Sequence, residues 1–227
     1  MTKINHDLRN ILSTAQLMSD RLGMSNDPQV KRTSPMLMKA IDRAINLCVR
    51  TMDFAKPRPE IIPSSFGLRD LVADVTTWLS PTFGDKTEIV NSVPARFDIY
   101  ADRDQLARLL SNLMRNAGAA GATRIAVGAR SDNAGGAPRI VLDVADNGPG
   151  LPENVRERLF QPFAGSARDG STGLGLAIVR DLARAHGGDI ALISTGESGT
   201  AFRLTLPQPD ARRVRALRGA PTPHPAE

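Results

Sequence analysis

The sequence predicts an α+β protein, in which an N-terminal helical hairpin precedes an α/β sandwich domain with a mixed sheet under helices. Two patterns predict this class. Through residues 4–55, apolar side chains recur at intervals of three and four, which is typical of amphipathic helices. From about residue 61 to residue 207, segments with strand character alternate with helical ones. The 227 residues suffice for a small helical element and one domain of about 150 residues.

We predict a first helix from the start of the chain to about Leu22, because its apolar residues step by four and three like a coiled-coil seam. They are Ile4, Leu8, Ile11, Ala15, Met18 and Leu22. Gly23 and the Asn26-Asp27-Pro28 segment end this helix. His6 lies off the seam and is expected to face solvent, where a neutral imidazole is a usable nucleophile that Asp7 can orient or deprotonate. Taken alone, this pair would also suit an ordinary helix surface.

A second amphipathic helix is predicted after this break. Its apolar positions are Leu37, Ile41, Ala44, Cys48 and Ala55. Together the two helices form a hairpin over residues 1–56, with one long apolar stripe that two helices alone cannot bury. Pro57-Arg58-Pro59 ends the second helix, so residues 57–60 are predicted to be an interdomain linker.

The second domain is predicted to span residues 61–207. One helix is indicated by the apolar positions of residues 68–79, and another runs from Asp102 to about Ala120. The candidate strands are Glu88–Val93, Phe97–Ala101, Arg124–Ala129, Arg139–Val144, Asp189–Ser194 and Thr200–Leu206. We expect them to form a mixed sheet under the helical layer.

Three chemical motifs follow one another in this domain. Asn112 and Asn116 lie one turn apart on one helical face, where their amide oxygens can join nucleotide phosphates around Mg2+. Asp146–Gly150 has the pattern Asp-x-Gly-x-Gly, and Gly173–Ala177 precedes a helix whose N-terminal N–H groups can bind phosphate. Each motif alone would be an ordinary turn or helix start. Their order predicts an ATP site with Mg2+.

At this point the chain resembles the two-component sensor histidine kinases, from about Ile4 to Pro207. The resemblance is carried by His6-Asp7-Leu8-Arg9-Asn10, Asn112–Ala117, Asp146–Gly150, Phe160-Gln161-Pro162-Phe163 and Gly173–Ala177. It implies that His6 accepts a phosphoryl group with help from Asp7, and that Asn10 supports a phosphatase activity. It also implies a homodimer through a four-helix bundle of two hairpins, and a response-regulator receiver domain as partner.

The resemblance assigns roles in the ATP site as well. It implies that Asp146 accepts the adenine amino group, which selects adenine over guanine because guanine has a carbonyl there. Asn116 is the expected Mg2+ ligand, and Asn112 supports it. Further nucleotide contacts are expected at Gly148, Gly150, Gly173, Leu174, Gly175, Leu176 and Thr200. Phe160, Phe163 and Phe202 are interpreted as core residues, and residues 164–171 as a mobile lid that includes Arg168.

The chain departs from the family's sequence pattern at two points, and two alternative functions remain possible on sequence alone. Many relatives place a basic residue three positions after the second Asn, where this chain has Ala119, so Arg115 or Arg168 is expected to neutralise phosphate instead. The chain also begins five residues before His6, which suggests a fragment of a longer kinase or input through another protein. The alternatives are a phosphotransfer adaptor with a degenerate ATP domain and an ATPase of the gyrase and mismatch-repair type.

Composition excludes several other classes of protein. The formal charge of +5 comes largely from arginines in the tail, residues 208–227, which we interpret as disordered and basic. Aromatic residues make up only 4% of the chain, so nucleic-acid binding by stacking is not expected. Cys48 is the single cysteine, which rules out an intrachain disulfide and suits a reducing compartment. No apolar run reaches the roughly 18 residues of a membrane span, so we expect a cytoplasmic chain without membrane insertion.

Overall fold

A computed structural model describes residues 18, 27–37, 40–41, 44, 60–133, 136–162, 164 and 173–209. The chain divides into two compact units. The first consists of Met1–Arg58 with Phe163–Leu174, and the second of Pro59–Pro162 with Gly175–Glu227. The predicted positions His6, Asp7, Asn10 and Cys48 lie outside the described residues, as does the tail beyond residue 209.

In the first unit, residues 28–37 are helical, as are residues 18, 40, 41 and 44. Asp27 caps the helix that begins at residue 28, because its Oδ1 accepts the N–H of Gln29 at 2.7 Å. Pro28 takes the first helical position, where its missing N–H costs nothing. The Asp27-Pro28 pair, which sequence analysis used only to end the first helix, therefore also starts the second.

In the second unit, two long helices have the predicted apolar phase. Helix α1, Leu68–Phe83, buries Leu68, Leu71, Val72, Val75, Leu79 and Phe83. Helix α2, Arg103–Ala119, buries Leu106, Ala107, Leu109, Leu110, Leu113, Met114 and Ala117. Two shorter helices follow, α3 at Glu153–Arg156 and α4 at Gly175–Ala185, and α2 packs between α1 and α4.

The strands of this unit form two sheets. Strands β2 (Glu88–Asn91), β4 (Arg124–Asp132), β5 (Arg139–Asp146), β7 (Gly199–Pro207) and β6 (Asp189–Gly196) make a five-stranded sheet in the order β2-β4-β5-β7-β6. Only β2 and β4 are parallel, so the sheet is mixed, as predicted. One face is buried under the helices by alternate residues of β5 and β7, including Leu142, Val144, Phe202 and Leu204.

The prediction for Phe97–Ala101 was right about the strand and wrong about its sheet. Strand β3, Asp98–Ala101, pairs antiparallel with β1, Ser64–Gly67, in a separate two-stranded sheet. Strand β1 was not predicted, because Ser64-Ser65-Phe66-Gly67 has neither alternating apolar residues nor β-branched residues. The partner of β3 was therefore not visible from local pattern.

The start of helix α2 is fixed by Asp102. Its Oδ1 accepts the N–H groups of Asp104 and Gln105, and its Oδ2 accepts the N–H of Ile62 at 3.0 Å. The backbone N–H of Asp102 donates to Nε2 of His186, whose Nδ1 lies 2.8 Å from the Leu182 carbonyl oxygen. Both bonds are satisfied when Nδ1 carries the proton. These contacts hold the N-terminus of α2 against the C-terminus of α4.

A close approach between helices α1 and α2 requires a glycine at position 118. A Cβ on Gly118 would overlap Cε1 of Phe83 and lie 2.9 Å from its Cδ1. Phe83 is 9% exposed at the end of α1. Glycine in a helix costs about 1 kcal/mol relative to alanine, so packing decides this residue.

We predict that Gly118→Ala lowers the free energy of unfolding by about 1 kcal/mol, since crowding of about 1–3 kcal/mol exceeds the gain in helix propensity. Urea unfolding of parent and variant measures the effect. The smaller side chain in Phe83→Leu should reduce the cost of Gly118→Ala when the two are combined. An equal cost in both backgrounds would contradict the packing explanation.

Among the residues that the structure describes, no helix combines the length and apolarity needed to cross a bilayer.

Candidate functional site

Asp146 lies at the end of β5 on the helix-covered face of the sheet, in phase with the buried Leu142 and Val144. Its Oδ1 accepts the N–H of Gly148 at 2.8 Å, and its carboxylate also accepts the backbone N–H of Thr200. Burial raises the pKa of Asp146 above its ordinary value, and the two backbone hydrogen bonds offset only part of this effect. The result is a partly desolvated acceptor at the edge of the core.

The glycines after Asp146 are required by neighbouring protein atoms. A Cβ on the buried Gly148 would lie 2.9 Å from Oδ1 of Asp146. Gly150 has a φ of 79°, and a Cβ there would lie 2.5 Å from the carbonyl oxygen of Gly196. The loop therefore lies directly on the β6–β7 turn, which leaves no room for side chains at these positions.

Asn147, for which no ligand contact was predicted, anchors the loop to the start of β4. Its Oδ1 accepts the N–H groups of Thr123 and Arg124 at 2.9 and 2.8 Å. Its Nδ2 donates to Oγ1 of Thr123 at 2.9 Å. Both polar atoms of this amide have partners inside the protein, so Asn147 anchors the loop.

Thr200 lies beside Asp146 on the neighbouring strand. The two residues are directly paired across β5 and β7, and Thr200 is 6% exposed. Its hydroxyl oxygen lies 3.2 Å from that of Thr195, the residue paired with it across β6 and β7. Thr195 was missed in the sequence because it lies just outside the Gly199-Thr200 segment.

Asn112 and Asn116 lie one turn apart on α2, as predicted. Nδ2 of Asn112 donates to the carbonyl oxygen of Arg108 at 2.8 Å, which turns its Oδ1 away from the helix backbone. Asn116 is exposed in the last turn of α2, near the first residue of α4. A Cβ on Gly175 would lie 3.0 Å from Oδ1 of Asn116. Both amides can offer an oxygen to a hard cation such as Mg2+.

Helix α4 begins at Gly175, as the sequence predicts. Its first N–H groups have no partner within the helix, which makes this end suitable for an anion. Leu176 is half-buried in the first turn. Gly173, with a φ of 65°, and the fully buried Leu174 precede the helix.

The C-terminal end of α2 lies close both to the loop after Asp146 and to the start of α4. Asn116 lies in the last turn of α2, and Ala122 lies between the end of α2 and the start of β4. A Cβ on Gly148 would lie 3.6 Å from Cβ of Ala122. Asp146, Asn116 and the start of α4 therefore lie at the same end of the domain.

Phe160, predicted as a core residue, is half-buried and packs against other residues of the second unit. Its ring meets the buried Phe202 edge-on at a centroid distance of 6.4 Å, and the guanidinium carbon of Arg180 lies 5.1 Å from its centroid. Phe163 and Arg168 lie outside the described residues, as does most of the segment predicted as a lid. Arg115 is exposed beside Asn116, so it stays a candidate for phosphate contact.

Comparison with known proteins identifies the domain that carries these residues. Residues 101–210 match the family described as histidine kinase-, DNA gyrase B-, and HSP90-like ATPase. This segment is therefore similar to the ATPase domains of that family. Asn112, Asn116, Asp146, Gly175 and Thr200 all lie within it.

Curated relatives extend the similarity beyond the ATP-binding domain. Sensory histidine kinase/phosphatase NtrB of Escherichia coli O157:H7 is 30% identical over 215 residues, which cover 90% of this chain and 59% of NtrB. Nitrogen regulation protein NtrY of Azorhizobium caulinodans is 31% identical over 224 residues, covering 90% of this chain and 28% of NtrY. This chain thus spans less than two thirds of either relative. Together the matches support the ATP-binding catalytic domain of a sensor kinase.

The fold agrees with a solved nucleotide complex. Full-length ShkA in complex with AMPPNP resembles this chain with a TM-score of 0.72 and 26% sequence identity, over 92% of this chain and 46% of ShkA. The bound AMPPNP belongs to ShkA, and the likeness shows that this chain shares the fold of that kinase.

Proposed function

We propose that this chain is the catalytic core of a cytoplasmic, ATP-dependent protein histidine kinase that phosphorylates its own His6. The phosphoryl group then passes to an aspartate of a response-regulator receiver domain. One observation carries the proposal: the match to NtrB covers 90% of this chain, whereas the ATP-binding family accounts only for residues 101–210. The similarity to a histidine kinase therefore includes much of the sequence before the ATP-binding domain.

We assign residues 1–56 to a dimerisation and phosphotransfer hairpin, 57–60 to a linker and 61–207 to the ATP-binding domain. Homodimerisation is supported by apolar side chains that a single chain leaves in contact with solvent. Met18, Met36 and Leu37 are 62%, 73% and 46% exposed. Packing two hairpins into a four-helix bundle would bury such residues, each with a stabilisation of about 1.5–3 kcal/mol when complete.

The site residues fit ATP. The Asp146 carboxylate can accept a hydrogen bond from the adenine amino group, since its environment is partly desolvated and its other bonds come from backbone N–H groups. In this proposal the phosphates extend from the adenine toward Asn112, Asn116 and the N-terminus of α4. A bound Mg2+, held by Asn116 with Asn112, would neutralise phosphate charge and align the triphosphate.

In the proposed reaction, His6 accepts the γ-phosphoryl group of ATP. A ring nitrogen attacks the γ-phosphorus, the N–P bond forms and the bond to the bridging β–γ oxygen breaks, which releases ADP. Asp7 orients the imidazole and takes its proton. The carboxylate of the receiver aspartate then attacks the same phosphorus, the N–P bond breaks, and the imidazole leaves as an acyl phosphate forms on the aspartate. Asn10, one turn after His6, is proposed to position the water that reverses this phosphorylation, an activity named for NtrB.

The other two histidines are poor candidates for phosphorylation. Both nitrogens of His186 have backbone partners, the N–H of Asp102 and the carbonyl oxygen of Leu182. His224 lies in the tail, 17 residues after β7 ends at Pro207. His6 is the histidine that stands in the motif shared with histidine kinases.

We predict that His6→Gln abolishes labelling of the chain by γ-labelled ATP and Mg2+, while the affinity for ATP changes by less than about twofold. Glutamine has no nucleophilic nitrogen, and His6 lies outside the ATP-binding segment. The label on the parent should be acid-labile and base-stable, as expected for phosphohistidine. His224→Gln is the matched control and should retain full labelling.

Each alternative gives a different result in the same assay. A phosphotransfer adaptor would leave the parent unlabelled by ATP but would accept a phosphoryl group from a phosphorylated receiver domain. An ATPase of the gyrase type would release phosphate at the same rate in parent and His6→Gln. Full labelling of His6→Gln would show that another residue accepts the phosphoryl group.

A further inference from the structure

Thr195 joins three parts of the nucleotide site. Its hydroxyl oxygen accepts the N–H of Leu151 at 2.8 Å and lies 3.2 Å from the hydroxyl oxygen of Thr200. Thr200 in turn is paired across the sheet with Asp146 and donates its backbone N–H to that carboxylate. A continuous set of hydrogen bonds therefore runs from the loop through Thr195 and Thr200 to Asp146.

The direction of the hydrogen bond between the Thr195 and Thr200 hydroxyls determines whether Thr200 can donate to a ligand. The N–H of Leu151 can only donate, so the Thr195 oxygen is an acceptor there. Accepting that bond polarises the Thr195 hydroxyl and makes it a better donor, which favours donation from Thr195 to Thr200. The proton of Thr200 is then free for a ligand. In the opposite direction, that proton would be used on Thr195.

The loop keeps Thr195 in this arrangement. Gly150, directly before Leu151, lies so close to Gly196 that its Cβ would be 2.5 Å from the Gly196 carbonyl oxygen. Gly196 directly follows Thr195. The Leu151–Thr195 hydrogen bond is thus supported by backbone packing one residue away on each segment.

When Thr195 donates to Thr200, the Thr200 hydroxyl is available as a hydrogen-bond donor beside the Asp146 carboxylate, which is an acceptor. Adenine presents the complementary order, an amino donor beside the N1 acceptor, directly or through one water. Guanine has a carbonyl and an N1–H at these positions, so both interactions are mismatched. Mismatched buried polar groups are the strongest source of selectivity in such sites.

We propose that Thr195 is a positioning residue that holds the Thr200 hydroxyl as a donor and thereby determines selectivity for adenine over guanine nucleotides. This inference rests on the proposed ATP binding at Asp146. In this proposal Thr195 acts through the Thr200 hydroxyl and not by contact with the nucleotide. Its effect is therefore on the ratio of the two affinities rather than on one affinity alone.

The test is calorimetric titration of the full chain with Mg-ATP and Mg-GTP. Thr195→Val removes the hydroxyl with little change of shape, and the ATP-to-GTP affinity ratio should fall about fivefold or more, the equivalent of one hydrogen bond. Thr195→Ser keeps the hydroxyl and should hold the ratio within about twofold. Thr205→Val, on the other face of β7, is the matched control and should leave both affinities unchanged.

A second arm uses Thr200. Thr200→Val should lower the ratio by itself, and Thr195→Val should then have no further effect, because both act through one proton. An unchanged ratio in Thr195→Val, or equal weakening of both nucleotides, overturns the role of Thr195 while ATP binding stands. A parent chain that binds neither nucleotide overturns the proposed function as well.

Discussion

Asp146→Asn should weaken ATP binding by about ten- to a hundredfold, since a hydrogen bond to a charged group contributes about 1.5–3 kcal/mol. The carboxylate accepts from Gly148 and Thr200 and still has lone pairs for the adenine amino group. Asparagine has one acceptor oxygen, and its NH2 group would face another donor. Titration with Mg-ATP measures the loss. The exposed Asp104, in the first turn of α2, gives the control Asp104→Asn, which should bind ATP like the parent.

The raised pKa of Asp146 adds a pH dependence to this prediction. Because burial raises the pKa above 3.8, the parent should lose ATP affinity on acidification at a higher pH than an ordinary aspartate would cause. Comparing parent with Asp146→Asn at each pH cancels the titration of ATP itself. An affinity ratio that stays constant down to the ordinary pKa of aspartate would contradict the role of the carboxylate.

The same pKa predicts that the ligand-free variant is the more stable protein. A carboxyl group with a raised pKa in the folded state opposes folding when it is ionised, and this cost disappears as the pH falls through that raised pKa. Asp146→Asn has no such cost. We therefore expect it to unfold at a higher temperature than the ligand-free parent at pH 7, with the difference shrinking in acid. A lower unfolding temperature would show that the hydrogen bonds outweigh the burial.

Gly199→Ala is expected to have the largest effect on the domain itself. Gly199 has a φ of 122°, and a Cβ there would overlap the carbonyl oxygen of Asp146 and lie 2.8 Å from its carbonyl carbon. Crowding and backbone strain cost about 1–3 kcal/mol each. The variant should therefore lose about 2–6 kcal/mol of stability in chemical denaturation. ATP binding should also fall sharply, because Asp146 and Thr200 flank the contact.

Two other glycines separate the causes. Gly121 has a φ of 92° with no atom within 4 Å of its Cβ position, so Gly121→Ala tests backbone strain alone. Gly196, in the same turn as Gly199, also has open space and no unusual φ, so Gly196→Ala should resemble the parent. If Gly199→Ala were no more damaging than Gly121→Ala, the close approach to Asp146 would be without energetic effect.

Much of the domain could be read from local sequence. The spacing of apolar residues gave the phases of α1 and α2 and so placed Asn112 and Asn116 on one face. Strand candidates matched all five strands of the main sheet, and the candidate for β5 ended two residues before Asp146, the last residue of that strand. Such features depend on residues within one or two turns of each other, which is the range over which periodicity carries information.

Only the tertiary structure decided how the site is held together. The Thr195 hydroxyl accepts a hydrogen bond from the N–H of Leu151, 44 positions away in the sequence. The Asn147 side chain accepts one from the N–H of Thr123, 24 positions away. Gly199 is required by the Asp146 backbone, and β3 pairs with a strand that has no strand-like composition. Helical and strand periods are local properties of the chain. Hydrogen-bond partners and close backbone contacts between distant segments are set by strand order and register, which local sequence does not specify.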